Sequence, residues 1–383
     1  TSSFCPTCYA DCRKSDVTDD QGAFTIPDLD PNLIFRLLVV NKNFRPLFVP
    51  KTDPVRSPVQ IKIEPRSEEA PPHQALRGRI LDPAGNPVPR AVVEFEFFYG
   101  QDANCGGGCE GVDPVAVTNE DGTFFIGAEK KFDWMTIRVE APLFARKKFF
   151  RLGAEKFHKL SLSEGATVTG RITKEGKPVP GVGVGLVSVD RGETFTGNYD
   201  TFTNEEGRFV FLNVPPYQMY YAYSRMDSVP ENLVAPLRHV RVAADGSTKD
   251  LGDLPLAPGT RLTGRVRLSD GQPVPPNTQL YVGREGAWDS RNILLDPEGR
   301  FDLNGIPRES ISLGVRVPGY RFSDKNISLD RLNGFTIVGR VDSDTHVEIL
   351  LEPGRVERPS LSDRPRVFDC IPARNPLQCV PPA

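Results

Sequence analysis

The chain has 383 residues and a net charge of −3, with 47 lysines and arginines against 50 aspartates and glutamates. This balance argues against a nucleic-acid-binding surface, which requires a basic excess, and no apolar run reaches the roughly 18 residues of a membrane span. At roughly 100–150 residues per domain, the length predicts three or four domains. Proline (36) and glycine (34) recur throughout the chain, as expected for short strands joined by many turns.

The N-terminal segment carries Cys5, Cys8 and Cys12, three of the seven cysteines. Its first residues lack the pattern of a signal peptide and predict a processed or truncated start. The Cys5-Pro-Thr-Cys8 motif is followed by Tyr9 instead of the histidine of a haem site, and the βαβ context of a thioredoxin site is missing. Structural disulfides are favoured over a four-cysteine zinc site, and no cofactor or metal is expected. The odd cysteine count leaves one thiol free, bound to another chain, or paired outside these residues.

The first repeat unit, residues 1–66, shows only the second half of the pattern found in the later units. It contains the turn Gln21-Gly22-Ala23-Phe24 and predicted strands at Leu33–Val40 and Val59–Ile63, without an opening strand. A half sandwich exposes its inner face and its strand edges. Three explanations stay open. An upstream segment holds the missing strands, another chain supplies them by strand addition, or the unit is a shorter fold.

Three further units open with the same short pattern, an apolar residue, any residue, Gly-Arg, and Ile or Val. These openers are Leu76–Ile80, Val168–Ile172 and Leu262–Val266, and each precedes a Gly-x-Pro-Val-Pro turn at Gly85–Pro89, Gly176–Pro180 or Gly271–Pro275. Repetition at this spacing predicts tandem modules. The resulting units are 72–165, 166–259 and 260–354, followed by a proline-rich tail at 355–383.

A second shared signature is a turn of the form acidic or amide residue, Gly, any residue, Phe. Its glycines and phenylalanines are Gly22 and Phe24, Gly122 and Phe124, Gly207 and Phe209, and Gly299 and Phe301. Glycine accepts the positive φ of a tight hairpin turn. The phenylalanine two positions later is expected on the core face, since side chains alternate along a strand.

Together, the Gly-Arg-Ile/Val opener, the Gly-x-Pro-Val-Pro turn and the Gly-x-Phe hairpin resemble the carboxypeptidase regulatory-like domain. The resemblance covers about 350 residues, and several of the motifs recur in the same order from one unit to the next. It implies an all-β fold of tandem Greek-key sandwiches, immunoglobulin-like or prealbumin-like, in an extended array. It implies little about function, because such domains occur in proteins of many kinds.

The remaining cysteines lie in two short-spaced pairs, Cys105 with Cys109 and Cys370 with Cys379. A disulfide in the first pair would stiffen a glycine-rich loop, and one in the second pair would order the tail. Short spacings of this kind suit an oxidising, extracellular compartment.

Catalytic motifs are missing from the sequence. The four histidines, His73, His158, His239 and His346, lie far apart and form no His-Glu-x-x-His site. No nucleophile elbow, phosphate-binding loop or dinucleotide fingerprint is present. The basic run Arg146–Lys148 is interpreted as a solvated strand face, with an anionic partner as the alternative. The chain is therefore predicted not to be an enzyme.

Six aromatic residues are the candidates for stacking on sugars. Trp288 and Tyr221 are the leading pair, and the further candidates are Trp134, Tyr217, Tyr220 and Tyr223. Because side chains alternate on strands, about half of the tyrosines are expected in the core.

The leading functional hypothesis is a structural or interaction protein at the cell surface, as a subunit or coat of a larger assembly. Its expected partners are other protein subunits, identical or different, that bind by strand addition at the first unit, and a surface filament such as a pilus or redox fibre fits this role. Two alternatives stay open: a carbohydrate-binding accessory protein that binds glycans, and the non-catalytic part of a larger secreted enzyme or receptor.

Overall fold

The computed structural model describes residues 16–29, 34–41, 43–56, 58–65, 71–100, 103–106, 109, 111–192, 194–230, 232–323, 330–332 and 336–354. Cys5, Cys8, Cys12, Cys370, Cys379 and the proline-rich tail lie outside these residues. Within the described ranges the chain consists of strands and two single-turn 3-10 helices, Pro54–Arg56 and Pro72–Gln74. None of the described helices has the length and apolar character needed to cross a bilayer.

The first unit contains a single antiparallel hairpin among its described residues. Its strands are β1 (Phe35–Asn41) and β2 (Phe44–Thr52), with Leu38 opposite Phe48. The predicted strand at Val59–Ile63 is wrong, because this segment forms no strand with any other described residues. Equivalent segments in the later units form strands by pairing with the opener, and the described part of the first unit has no opener.

The second unit is a two-sheet sandwich. One sheet has the order β10-β3-β7, and the other has the order β5-β4-β8-β9 with β6 also paired to β4. The strands are β3 (Ala75–Leu81), β4 (Val92–Gly100), β5 (Ala103–Gly106), β6 (Val115–Val117), β7 (Thr123–Gly127), β8 (Trp134–Glu140), β9 (Lys147–Gly153) and β10 (Phe157–Ser161).

The third unit repeats this plan. Its strands are β11 (Ala166–Lys174), β12 (Lys177–Pro178), β13 (Gly183–Ser188), β14 (Asn198–Phe202), β15 (Arg208–Val214), β16 (Met219–Ser224), β17 (Leu233–Val234), β18 (Arg238–Arg241), β19 (Thr248–Pro255) and β20 (Ala257–Pro258). One sheet joins β12, β15 and β19 to β11, and the other has the order β14-β13-β16-β18. The short strands β17 and β20 pair separately.

The fourth unit again has two sheets, β24-β21-β29-β26 and β23-β22-β25-β28-β27. Its strands are β21 (Thr260–Leu268), β22 (Gln279–Arg284), β23 (Asp289–Leu294), β24 (Arg300–Ile306), β25 (Ser310–Val315), β26 (Tyr320–Phe322), β27 (Asp330–Leu332), β28 (Thr336–Arg340) and β29 (Thr345–Pro353).

The opener strand occupies the same position in all three complete sandwiches. It runs antiparallel to the strand after the Gly-x-Phe turn and parallel to the last long strand of the unit, as in β7-β3-β10, β15-β11-β19 and β24-β21-β29. Each sandwich encloses a separate apolar core. The predicted fold class, an array of tandem all-β sandwiches, is confirmed.

Candidate functional site

The joint between the third and fourth units buries an apolar cluster and a charged side chain. The turn between β22 and β23 packs on the outer face of the third unit's β13-β16 sheet. There Ala287 completes an apolar cluster with Val187 and Tyr223, and all three side chains are at most 3% exposed. Tyr221 and Leu237 pack around this cluster. The two units therefore share a small apolar interior, which a flexible linker would not provide.

A buried arginine lies beside this apolar contact. The Arg284 side chain is 0% exposed, and its Nε donates to Glu309 Oε1 at 2.6 Å. Its Nη1 donates across the joint to the Ser224 carbonyl at 2.7 Å and lies 3.5 Å from Asp289 Oδ2. The same Asp289 oxygen accepts the Met226 amide at 3.0 Å, also across the joint. Arg284, Asp289 and Glu309 are named here the junction cluster.

The charges around the junction cluster are only partly balanced. Burial raises the pKa of Asp289, and nearby Arg284 opposes the shift. Burial likewise raises the pKa of Asp200, which Arg225 opposes. Arg225 forms an ion pair with Asp227 at 2.8 Å on the rim of the joint. Because the charges of the cluster are bonded to groups on both units, it fixes their relative orientation as well as their contact.

Both leading candidates for sugar stacking lie at this joint. Trp288 follows Ala287 in the turn and is 48% exposed, with its ring 5.5 Å from that of Phe195 and the Arg191 guanidinium 5.4 Å from its centre. Tyr221 packs edge-on against His239 at 4.5 Å. The structure thus uses parts of both rings for contacts within the joint. Carbohydrate binding by these residues stays a prediction.

The remaining aromatic candidates divide between core and surface. Tyr220 and Tyr223 are fully buried, and burial raises the pKa of both hydroxyls. Tyr217 is 79% exposed. Trp134 lies on the outer face of β8, stacked against Tyr99 with ring centres 5.1 Å apart.

The joint between the second and third units includes contacts made by two polar side chains, Arg146 and Asn213. Arg146 pairs with Glu140 at 3.2 Å, donates to the Asn198 carbonyl at 3.2 Å and covers the ring of Tyr199 at 5.1 Å. Burial raises the pKa of Tyr199 to about 12. The neighbouring Lys148 pairs with the second unit's own Glu96 at 2.7 Å.

A second contact supports the same joint. The Asn213 side-chain amide donates to the carbonyls of Leu143 at 2.8 Å and Glu164 at 2.7 Å. Asn213 has a φ of 54° at an irregularity of β15. The equivalent position of the fourth unit is Gly305, with a φ of 72°, beside Asn232 of the third unit. Successive units therefore meet at the same strand end.

The first unit contacts the second through an arginine of its hairpin. Arg45 Nη1 lies 2.7 Å from Glu129 Oε1, and its Nε lies 3.6 Å from Asp113 Oδ1. The hydrogen bond to Glu129 is the main cause of the raised pKa of Arg45. Glu129 follows the strand end at which the later joints also form.

The Gly-x-Phe turn has the same geometry in the first unit as in the complete ones. The Gly22 amide donates to the Asp19 carbonyl at 2.9 Å, as the Gly207 amide donates to the Asn204 carbonyl at 2.8 Å. Gly22 has a φ of 79°, in the left-handed region that favours glycine. The phenylalanines differ in environment, since Phe124, Phe209 and Phe301 are at most 6% exposed and Phe24 is half-buried.

The other predicted residues have local structural contacts. Cys105 and Cys109 form a disulfide with a Cα–Cα distance of 5.9 Å, next to β4.

The histidines make separate local contacts. His73 lies 3.0 Å from Glu155, and His346 lies 3.1 Å from Glu348. His158 contacts the Gly153 carbonyl at 2.8 Å. Among the described residues, no three His, Cys, Asp or Glu side chains converge as a metal site requires.

Sequence reasoning missed the junction cluster. The one sequence feature that points to the cluster is Arg284, at the end of the otherwise uncharged strand Gln279–Arg284. A charged side chain in such a strand is rarely buried unless it is paired with an opposite charge. Its partners could not be read from the sequence, because Glu309 lies 25 residues and Ser224 lies 60 residues away.

No protein-family model and no curated protein matches the chain. Solved structures similar to it include the Bacillus anthracis TIE protein, at 12% identity over 73% of this chain and 50% of that protein, with a TM-score of 0.22. A streptococcal ancillary pilin has 12% identity over 73% of this chain and 100% of its own, with a TM-score of 0.22. The minor pilin GBS52 of Streptococcus agalactiae has 13% identity over 50% of this chain and 97% of its own, with a TM-score of 0.24. The match to the TIE protein thus spans half of that protein's length.

Proposed function

We propose that the chain is a non-enzymatic structural subunit of an extracellular assembly, a filament or a coat, in which the sandwiches act as a spacer. The observation that carries this proposal is the buried joint of the third and fourth units. A spacer holds its ends apart only if its joints resist bending, and the junction cluster orders one joint by bonds that cross it. The unit boundaries at 72–165, 166–259 and 260–354 belong to this proposal.

An extracellular location is supported by the cysteines. The disulfide between Cys105 and Cys109 is of the kind that persists in oxidising compartments. The carboxypeptidase regulatory-like assignment is supported by the three openers and their paired Gly-x-Phe turns, which lie side by side in every complete sandwich.

The first unit is the proposed point of contact with other subunits. Among its described residues, β1 pairs only with β2, and Leu38, Val40 and Leu47 are each 38–39% exposed. A strand edge next to exposed apolar side chains is a template for an added strand. We therefore propose strand addition as the mode of assembly.

The test is the mass of the full chain isolated under native conditions, by size-exclusion chromatography with light scattering. The proposal expects a mass above that of one chain, in complexes that dissociate when the first unit is altered. A monomer at all concentrations, with the amides of the first unit fully protected from hydrogen exchange, would contradict it.

A carbohydrate-binding role is the second candidate, supported by an aromatic surface on the second unit. Trp134 stacks on Tyr99 at 5.1 Å and on Phe97 at 5.6 Å, and Arg151 lies over the indole at 5.7 Å. Tyr99 is 41% exposed. Glycan-array binding that is lost in Tyr99→Ala and kept in Tyr217→Ala would favour this role over the assembly role.

A further inference from the structure

The fourth unit has a groove on the outer face of the sheet that contains its opener. The groove has a volume of about 770 Å³ and is lined by residues of β21, β23, β24 and β29. Four arginines contribute to this lining: Arg265, Arg267, Arg291 and Arg300. Among the described residues of the lining, Phe301 is the only aromatic one, and its side chain is buried. The groove is therefore rich in guanidinium groups and offers no exposed ring for stacking on a sugar.

The carboxylates of the groove are already bonded within the unit. Glu348 pairs with Arg267 at 3.1 Å. Asp302 pairs with Arg261, whose Nε donates to it at 2.8 Å. Asp296 accepts two backbone amides of its own turn, at 3.0 and 2.6 Å. These carboxylates are therefore held by contacts that leave the other arginines of the groove without them.

Three arginines of the groove, Arg265, Arg291 and Arg300, form no ion pair with any residue that the structure describes. Arg265 donates only to the backbone carbonyl of Glu298, at 2.8 Å. It also lies directly opposite Arg300 in the pairing of β21 with β24. Like charges directly opposite each other destabilise a sheet. An anion bound between the two guanidinium groups would offset this repulsion.

The other complete units supply a carboxylate to the arginine in the same position of the opener. Arg79 pairs with Asp121 at 3.1 Å in the second unit. In the third unit, Arg171 donates to both oxygens of Asp253, at 2.8 and 2.7 Å. The residue of the fourth unit at the position of Asp253 is Glu348, which is bonded to a different arginine. The lack of a carboxylate for the opener arginine is thus specific to the unit that has the groove.

Two of the strands that line the groove are the outermost strands of their sheets. The sheet orders β24-β21-β29-β26 and β23-β22-β25-β28-β27 begin with them. The outer edge of such a strand can pair with an extended peptide through its backbone amides and carbonyls. Ile293 of β23 is half-buried, and the neighbouring Leu294 is 61% exposed. The groove therefore combines cationic groups, apolar side chains and strand edges, which together suit a peptide.

We propose that this groove binds an extended acidic segment of a partner protein, whose carboxylates pair with Arg265, Arg291 and Arg300. The planar guanidinium group binds a carboxylate through two parallel hydrogen bonds. Ile293 and Leu294 would pack against apolar side chains between the acidic ones. The inference goes beyond the proposed structural role, since a docking site on the fourth unit does not depend on assembly through the first.

The test measures binding of a fluorescent peptide, Glu-Val-Glu-Thr-Glu-Val-Glu, to the full chain by fluorescence anisotropy at low ionic strength. The control peptide carries glutamine in place of each glutamate. The glutamate peptide should bind at least about tenfold tighter than the glutamine peptide, and its affinity should fall as salt is added. Hydrogen exchange should show new protection in Asp289–Leu294 and Arg300–Ile306 when the glutamate peptide binds.

A double variant tests whether the arginines of the groove hold the peptide. Arg265→Gln with Arg300→Gln removes two of the cations and should weaken binding of the glutamate peptide about fivefold or more. The matched control is Arg171→Gln with Arg208→Gln, which removes the arginines that lie opposite each other at the same positions of the third unit. This control should leave the affinity unchanged. Urea denaturation checks that both double variants are folded.

Several outcomes would overturn the inference. Equal binding of the two peptides to the unaltered chain is one, and equal loss of binding in the two double variants is another. Polygalacturonate that binds more tightly than the glutamate peptide, without new protection of β23 and β24, would show that an acidic polysaccharide is the ligand. A multimeric chain that binds neither peptide would overturn the groove alone. A monomeric chain that binds the glutamate peptide would support the groove and contradict the structural role alone.

Discussion

Arg284 is the residue with the largest expected effect on stability. Its side chain is 0% exposed and is bonded to Glu309 and to the Ser224 carbonyl. Arg284→Met keeps most of the apolar stem but leaves two carboxylates buried without their cation. Removing one partner of a buried ion pair costs about 3–5 kcal/mol. We expect a loss of this size in the free energy of unfolding of the third and fourth units, measured by urea denaturation of the full chain.

A surface arginine provides the matched control. Arg171 pairs with Asp253 at 2.7 Å on the outer face of β11, and its side chain is 34% exposed. Arg171→Met is expected to leave the urea midpoint almost unchanged, because water screens exposed pairs. Equal effects of the two substitutions would show that the junction cluster adds nothing to the joint.

Asp289 gives the joint a dependence on pH. Its pKa is raised above the ordinary value of 3.8, mainly by burial, so the folded state holds the proton more tightly than the unfolded state. This contribution to stability is complete below pH 3.8 and is lost as the pH rises through the raised pKa. The pKa of Asp200 is raised in the same direction, also by burial.

The direction of this pH dependence is tested by comparing the stability of the unaltered chain with that of the Asp289→Asn variant. We expect the unfolding free energy of the unaltered chain, relative to the variant, to fall with rising pH and then to level off. Urea unfolding at a series of pH values from 3 to 8 measures this difference. A relative stability that rises with pH would show that Arg284 outweighs burial in setting the charge of Asp289.

At the scale of the strands, the close packing of the opener glycine against the hairpin phenylalanine can be tested in the third unit, where Gly170 of β11 lies opposite Phe209 of β15. Gly170→Ala places a methyl group against the Phe209 ring, and overpacking of this kind costs about 1–3 kcal/mol. Combining it with Phe209→Leu should recover part of this loss. Gly153→Ala in β9 is the control, because an added Cβ there lies 3.8 Å from its nearest neighbour. Purely additive effects in the double variant, measured by denaturation, would contradict the fit.

The strands also show where a local sequence pattern does not predict secondary structure. The openers, the turns and the apolar alternation predicted the paired strands of the later units, because these elements carry their own periodicity and turn residues. The same alternation at Val59–Ile63 does not form a strand. A strand exists only by its hydrogen bonds to a neighbour, and no local sequence signal reports whether that neighbour is present.

At the scale of the whole molecule, the joints are expected to differ in stiffness. The third and fourth units share buried charges and an apolar cluster. The second and third units meet through Arg146, whose side chain is 27% exposed, and through Asn213. Labels introduced as unnatural amino acids at Glu205 and Arg316 should therefore give a narrower distance distribution by electron paramagnetic resonance than labels at Lys156 and Glu205. Equal widths would contradict a special role for the junction cluster.

The sequence by itself determined the all-β class and the repetition of the units, because hairpin glycines, alternating apolar residues and repeated openers are local or periodic features. It also predicted that the first unit is an incomplete sandwich, which stays a prediction. The tertiary structure decided where the units meet and what holds them there. Arg284 finds its partners 25 and 60 residues away, and Trp288 and Tyr221 lie at the same joint despite their separation in sequence. Contacts between sandwiches depend on how two finished surfaces fit, and that fit is set by packing and burial, which no single segment encodes.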